Sequence, residues 1–355
     1  MGIKSILFIF ISIVLIVFAA VSCTEQTEEL PETETPDIED MDEIQLIAEV
    51  TIYYSAHSRG EGSVGWPQGM AINTKTNVIY VTTDDDKRIS VIDGQNHSIL
   101  SSSSINPPNM QAHGLAIDES NQKLYTCCEG YFGRVDLGSG EVEWEYYIGN
   151  SGPRWLAFNQ KTGRLYAVDY ENALLIVIEG EEILAKTSVG TDANADPRGV
   201  AVDQSKNLIL VANYGNNSVS IVDGSTNSVI ADIPVGSQPI TIAINELNSL
   251  AYISCQEDKS IHIIDIEDRS VVNTISLSGE PQGIAVNPNT NHLFVSLHAE
   301  DTVEVYDTVS MQMIESIPVG DLPSTIRINT NTNRVYVFNQ QIGLDQTVTV
   351  IQDVK

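Results

Sequence analysis

Residues 196–236 read DPRGVAVDQSKNLILVANYGNNSVSIVDGSTNSVIADIPVG. Gly199 to Asp203 alternates small or polar residues with valine, and Gln204 to Asn207 is a polar turn. Leu208 to Ala212 is a β-rich run. Ser218 to Asp223 alternates again, a Gly-Ser-Thr-Asn turn follows, and Ser228 to Val235 forms a fourth run that ends at Gly236. Alternation with period two, bounded by Gly, Asn, Asp and Pro, marks half-buried antiparallel strands.

The same pattern recurs along the chain. Eighteen-residue windows starting at Trp66, Gln111, Gly152, Asp196, Gln238, Glu280 and Leu322 superpose without gaps, at intervals of 45, 41, 44, 42, 42 and 42 residues. Four strands per repeat of this length match one blade of a β-propeller. Helical solenoids require 3.6-residue periodicity, which is absent, and parallel β-helices use shorter coils. The last repeat lacks a fourth strand, because the chain ends soon after Thr347 to Ile351. Leu46 to Ile52 resembles Val229 to Val235, so this N-terminal strand is expected to complete the last blade. The fold class is all-β: seven four-stranded antiparallel blades in one domain over residues 44–355. Pairing the two chain ends in one sheet removes two open strand edges.

The first 43 residues have a different composition. Lys4 precedes an apolar run from Ile6 to Val21, and small residues lead to Cys23. A basic start, an apolar run and small residues before a break are the parts of an export signal. Its end resembles a bacterial lipobox, which implies lipidation at Cys23. The other reading is an uncleaved anchor helix over residues 6–22, although about 16 apolar residues are short for a span of ~20. Both readings assign residues 1–23 to membrane attachment and place the rest outside the cytoplasm, at a cell surface or in a periplasm. Residues 24–43 hold ten acids, two prolines and no base or aromatic, the composition of a solvated linker.

The protein carries 18 Lys and Arg against 48 Asp and Glu, a formal charge of −30. Ten of those acids lie in the linker and Lys4 is the one base before residue 44, so −21 belongs to residues 44–355. Such a surface repels phosphate backbones and excludes sequence-independent nucleic-acid binding.

Pro281 to Asn287, Tyr336 to Asn339 and Ser218 to Asp223 carry Pro-x-Gly-Ile-Ala-Val-Asn, Tyr-Val-x-Asn and Ser-Val-x-Ile-Val-Asp. These elements, present throughout the seven repeats, resemble the YVTN-repeat β-propellers, including surface-layer-type propellers of archaea and bacteria. The resemblance implies the propeller fold and a surface or periplasmic binding role, with a protein or glycan partner. It implies no activity, since one fold hosts many functions.

In a propeller the first strand of each blade lines the central channel. The residue after the repeat's Pro position is therefore expected at the channel mouth: Gln68, His113, Arg154, Arg198, Gln282 and Ser324, with Ile240 in the fifth blade. The ends of the second strands are expected on the same face, with Asp169, Asn213 and Asn339 among them; neighbouring loops add Trp155, Tyr170, Tyr214 and His298. Two readings of Arg154 and Arg198 stand side by side: a pair that holds an anion, or a pair neutralised by Asp169, Asp196 or Asp84 to Asp86.

Catalytic motifs are few. His113 is the one innermost histidine, so no set of metal ligands is expected, and no haem-attachment, nucleophile-elbow or phosphate-loop motif occurs. No cofactor is implied, and a channel-mouth metal-dependent lyase or hydrolase is the alternative to a binding or scaffold module. A self-associating envelope protein is the other. Asp192, Asn194 and Asp196 mimic the start of a calcium loop, but Pro197 stands where that turn needs Gly, which favours a simple loop insertion. Cys127, Cys128 and Cys255 are expected as small packing residues.

Overall fold

The computed structural model describes residues 44–52, 69–83, 88–100, 113–128, 130–148, 152–340 and 346–355. The export-signal reading with Cys23, the linker, Trp66, Gln68 and Asp84 to Asp86 lie outside the described residues.

The described strands form seven four-stranded antiparallel sheets. Six of them use four consecutive strands, so each blade is a meander. The seventh combines Pro323–Asn329, Arg334–Asn339 and Gln346–Gln352 with the N-terminal strand Gln45–Ile52. That strand runs antiparallel to Gln346–Gln352, with Glu49 opposite Thr349 and Val50 opposite Val348. The expected closure of the ring is therefore observed. It sews the first strand of the domain to the last.

Because each blade packs on two neighbours, both faces of every sheet are apolar. Tyr166, Val168 and Val177 of the third blade share a cluster with Ile209, Val211 and Val222 of the fourth. Met70 and Ile79 of the first blade pack with Tyr336, Phe338, Val348 and Val350 of the seventh, so the closing seam is as well filled as the others. Cys127 and Cys255 are fully buried in two such clusters as free thiols, and burial pushes the Cys255 thiol up to about 12. Both fill space in the core, as small residues do.

The turn after each first strand is specified by one column of residues. Asn73, Asp118, Asn159, Asp203, Asn245, Asn287 and Asn329 are buried, and each side-chain oxygen accepts a backbone N–H two or three residues on. This is the Asx turn, for which Asn and Asp are suited. The turn closes with a left-handed residue, for example Asn207 at φ 53° and Asn333 at φ 51°. The same turns clasp neighbouring blades. Glu119, Gln160, Gln204 and Glu246 each accept the backbone N–H of the equivalent position one blade earlier, at 2.7, 3.1, 3.0 and 2.9 Å. Asn331 Nδ2 donates to the Thr74 carbonyl at 3.0 Å and carries the belt across the seam.

Near the axis the first strands approach until there is no room for a side chain at some positions. A Cβ on Gly283 would collide with the Ser324 carbonyl oxygen of the next blade, and one on Gly114 with the carbonyl of Arg154. These are backbone atoms and cannot rotate away. Gly283→Ala is therefore expected to lower stability by about 1–3 kcal/mol, measured as a fall in the denaturant midpoint; an unchanged midpoint would show that the blades can separate at the axis.

Candidate functional site

The first strands surround an axial cavity that opens to solvent. His113, Arg154, Gln282 and Ser324 line it, joined by Trp155, Thr325 and Arg327. Four of the residues expected at the mouth are thus brought together. Ile240 is fully buried instead.

Arg198 is held aside from that lining. Its guanidinium carbon lies 3.6 Å from the centre of the Tyr214 ring, and Nη2 donates to Asp196 Oδ2 at 3.1 Å. Arg154 sits similarly over Tyr170, at 5.0 Å. Stacking on an aromatic face stabilises a guanidinium and fixes its plane. Burial pushes the Tyr170 phenol above its ordinary range, and the nearby Arg154 charge opposes that shift. The two arginines occupy equivalent positions on adjacent blades, and Arg198 pairs with the Asp196 carboxylate.

Asp169, Asn213 and Asn339 serve the frame. Asp169 is buried and accepts from the Gly152, Glu171 and Asn172 backbone N–H groups and from Asn172 Nδ2, the last at 2.8 Å. Asn213 Nδ2 donates to Ser218 and Ser220, and Asn339 Nδ2 to Thr347 and Thr349, within their own blades. None of the three lines the cavity. His298 lies beside the Pro323 carbonyl at 3.3 Å. In the 192–196 loop, Asp192 Oδ1 accepts from Asn194 N and Asn216 Nδ2, which hold its carboxyl below the usual range. Those bonds make it a loop brace.

Arg327 was not among the residues expected at the mouth. Its signal is present in the repeat: the corresponding residues in the other six blades are Ala71, Ala116, Ala157, Ala201, Ala243 and Ala285. The register agrees, since Arg327 pairs with Tyr336 as Ala157 pairs with Tyr166 and Ala243 with Tyr252. Among the described residues, the cavity lining contains two arginines and a histidine but no Asp or Glu. No group of three or more His, Cys, Asp and Glu able to hold a metal occurs among the described residues either.

Fold and cavity together define a seven-bladed β-propeller with an open axial pocket. A family model described as "Lactonase, 7-bladed beta-propeller" matches residues 139–232, which include Arg154 and Arg198. Among curated proteins no sequence matches the chain. In structure it is similar to the Cps50 (Swd1) β-propeller domain of Myceliophteria thermophila, at 11% identity and TM-score 0.71, covering 88% of this chain and 100% of that one. That likeness concerns the fold.

The frame and lining roles separate experimentally. Asp169→Ala leaves several backbone donors without their acceptor and is expected to cost about 1–3 kcal/mol, whereas Arg154→Ala is expected to shift the denaturant midpoint far less. Equal losses in the two variants would place Arg154 in the frame as well.

Proposed function

We propose that this protein is an extracytoplasmic binding propeller, tethered to a membrane by its N-terminal segment, whose axial pocket captures a small ligand. The carrying observation is the character of the lining. Arg154, Gln282, Ser324 and Thr325 offer guanidinium, amide and hydroxyl groups on a rigid ring. Such groups orient a ligand by hydrogen bonds, as the polar groups of binding pockets do. His113 is the one described lining side chain suited to general-base work. The tether rests on the export-signal pattern ending at Cys23. A protein or glycan partner at the cell surface remains part of this reading, contacted through loops that the rigid blades present.

The family-model match over residues 139–232 favours a second reading, a hydrolase of the lactonase type. In that case His113 would serve as the base and Arg154 as an electrophilic donor.

Native mass spectrometry of the full-length protein, purified without chelators, separates these readings. A stoichiometric small molecule that is lost in Arg154→Ala and Gln282→Ala is the expected result. Turnover of lactones above background that disappears in His113→Ala would replace it with the hydrolase.

A further inference from the structure

We infer that Arg327 makes the inner part of the axial pocket a site for an organic monocarboxylate with an apolar body. The inference deepens the binding reading above and rests on it.

Arg327 interrupts a ring of alanines. At this register six blades carry alanine, and the seventh carries an arginine that lines the axial pocket. The side chain is exposed to the water of the channel, and desolvation by the surrounding protein lowers its pKa below the ordinary arginine value. Arginine remains charged even so. Its Nη1 donates to the neighbouring Ile326 carbonyl at 2.9 Å. Among the described residues no ion pair is formed by Arg327, although the chain has 48 acids to 18 bases.

The rest of the lining determines what anion fits. A guanidinium fork matches a carboxylate through two parallel N–H···O bonds. The domain already carries −21, which disfavours a multiply charged anion such as a phosphate dianion. Trp155 and Ile242, both half-buried, supply apolar surface in the same pocket as Arg327. A carboxylate head on Arg327 therefore places an apolar body against Trp155 and its neighbours.

Benzoate is a suitable probe, with acetate and inorganic phosphate beside it. The full-length protein is titrated by calorimetry, and its melting temperature is followed in parallel. Arg327→Ala copies the residue of the other six blades, so it is expected to fold and to melt no lower than the parent; Arg327→Gln provides a second variant of closer size. We expect saturable one-to-one benzoate binding that raises the melting temperature, weakened roughly tenfold or more in both variants. Acetate should bind several-fold more weakly, having no apolar body. Benzoate affinity unchanged in the variants, phosphate tighter than benzoate, or no benzoate binding up to about 50 mM would each overturn the inference. A carried-over ligand that still depends on Arg154 and Gln282 under those outcomes would leave the binding reading standing and remove Arg327 from it.

Discussion

Closure of the ring by Gln45–Ile52 on Gln346–Gln352 is the constraint on which the other features depend. Each interblade core needs a neighbour on both sides, and the first and seventh blades have theirs only if the seam is sealed. Without that pairing, Met70 and Tyr336 would face water and two strand edges would be open to other chains. With it, every sheet is pressed toward the axis. The belt from Glu119 to Glu246 and the Asn331 bond across the seam then fix the spacing of the turns.

The axial pocket inherits its rigidity from this closure. Where two first strands touch, glycine is needed because the neighbouring carbonyl occupies the place of a Cβ. Where they diverge, as at Trp155 and Arg327, a large side chain can enter the channel. The shape of the site is thus set by how each pair of blades meets, and small changes in one loop cannot reshape it.

The charge distribution is uneven. Acids predominate over the domain as a whole, while the described lining has only basic and neutral groups. Arg198 is neutralised by Asp196 and stacked on Tyr214; Arg154 stacks on Tyr170. Arg327 has neither kind of partner among the described contacts. The three arginines of the first strands therefore differ in what they can offer an incoming anion, although two of them share one position in the repeat.

Repeat length, strand order and ring closure were legible in the sequence, because period-two alternation and the turn residues repeat seven times and the odd strand at one end matches the gap at the other. The buried Asn and Asp of the turns stand in one column for the same reason: each must accept the same backbone N–H groups. The alanine column containing Arg327 was equally visible, but its meaning was not. Sequence placed Asp169, Asn213 and Asn339 near the mouth; only tertiary structure decided that backbone and hydroxyl partners within the blades occupy their side chains. It likewise decided that Arg198 turns to Asp196 and that, among the described residues, no ion pair holds Arg327. A repeat specifies which residues lie at a given height around the axis, whereas hydrogen-bond partners depend on distances across blades that no local pattern encodes.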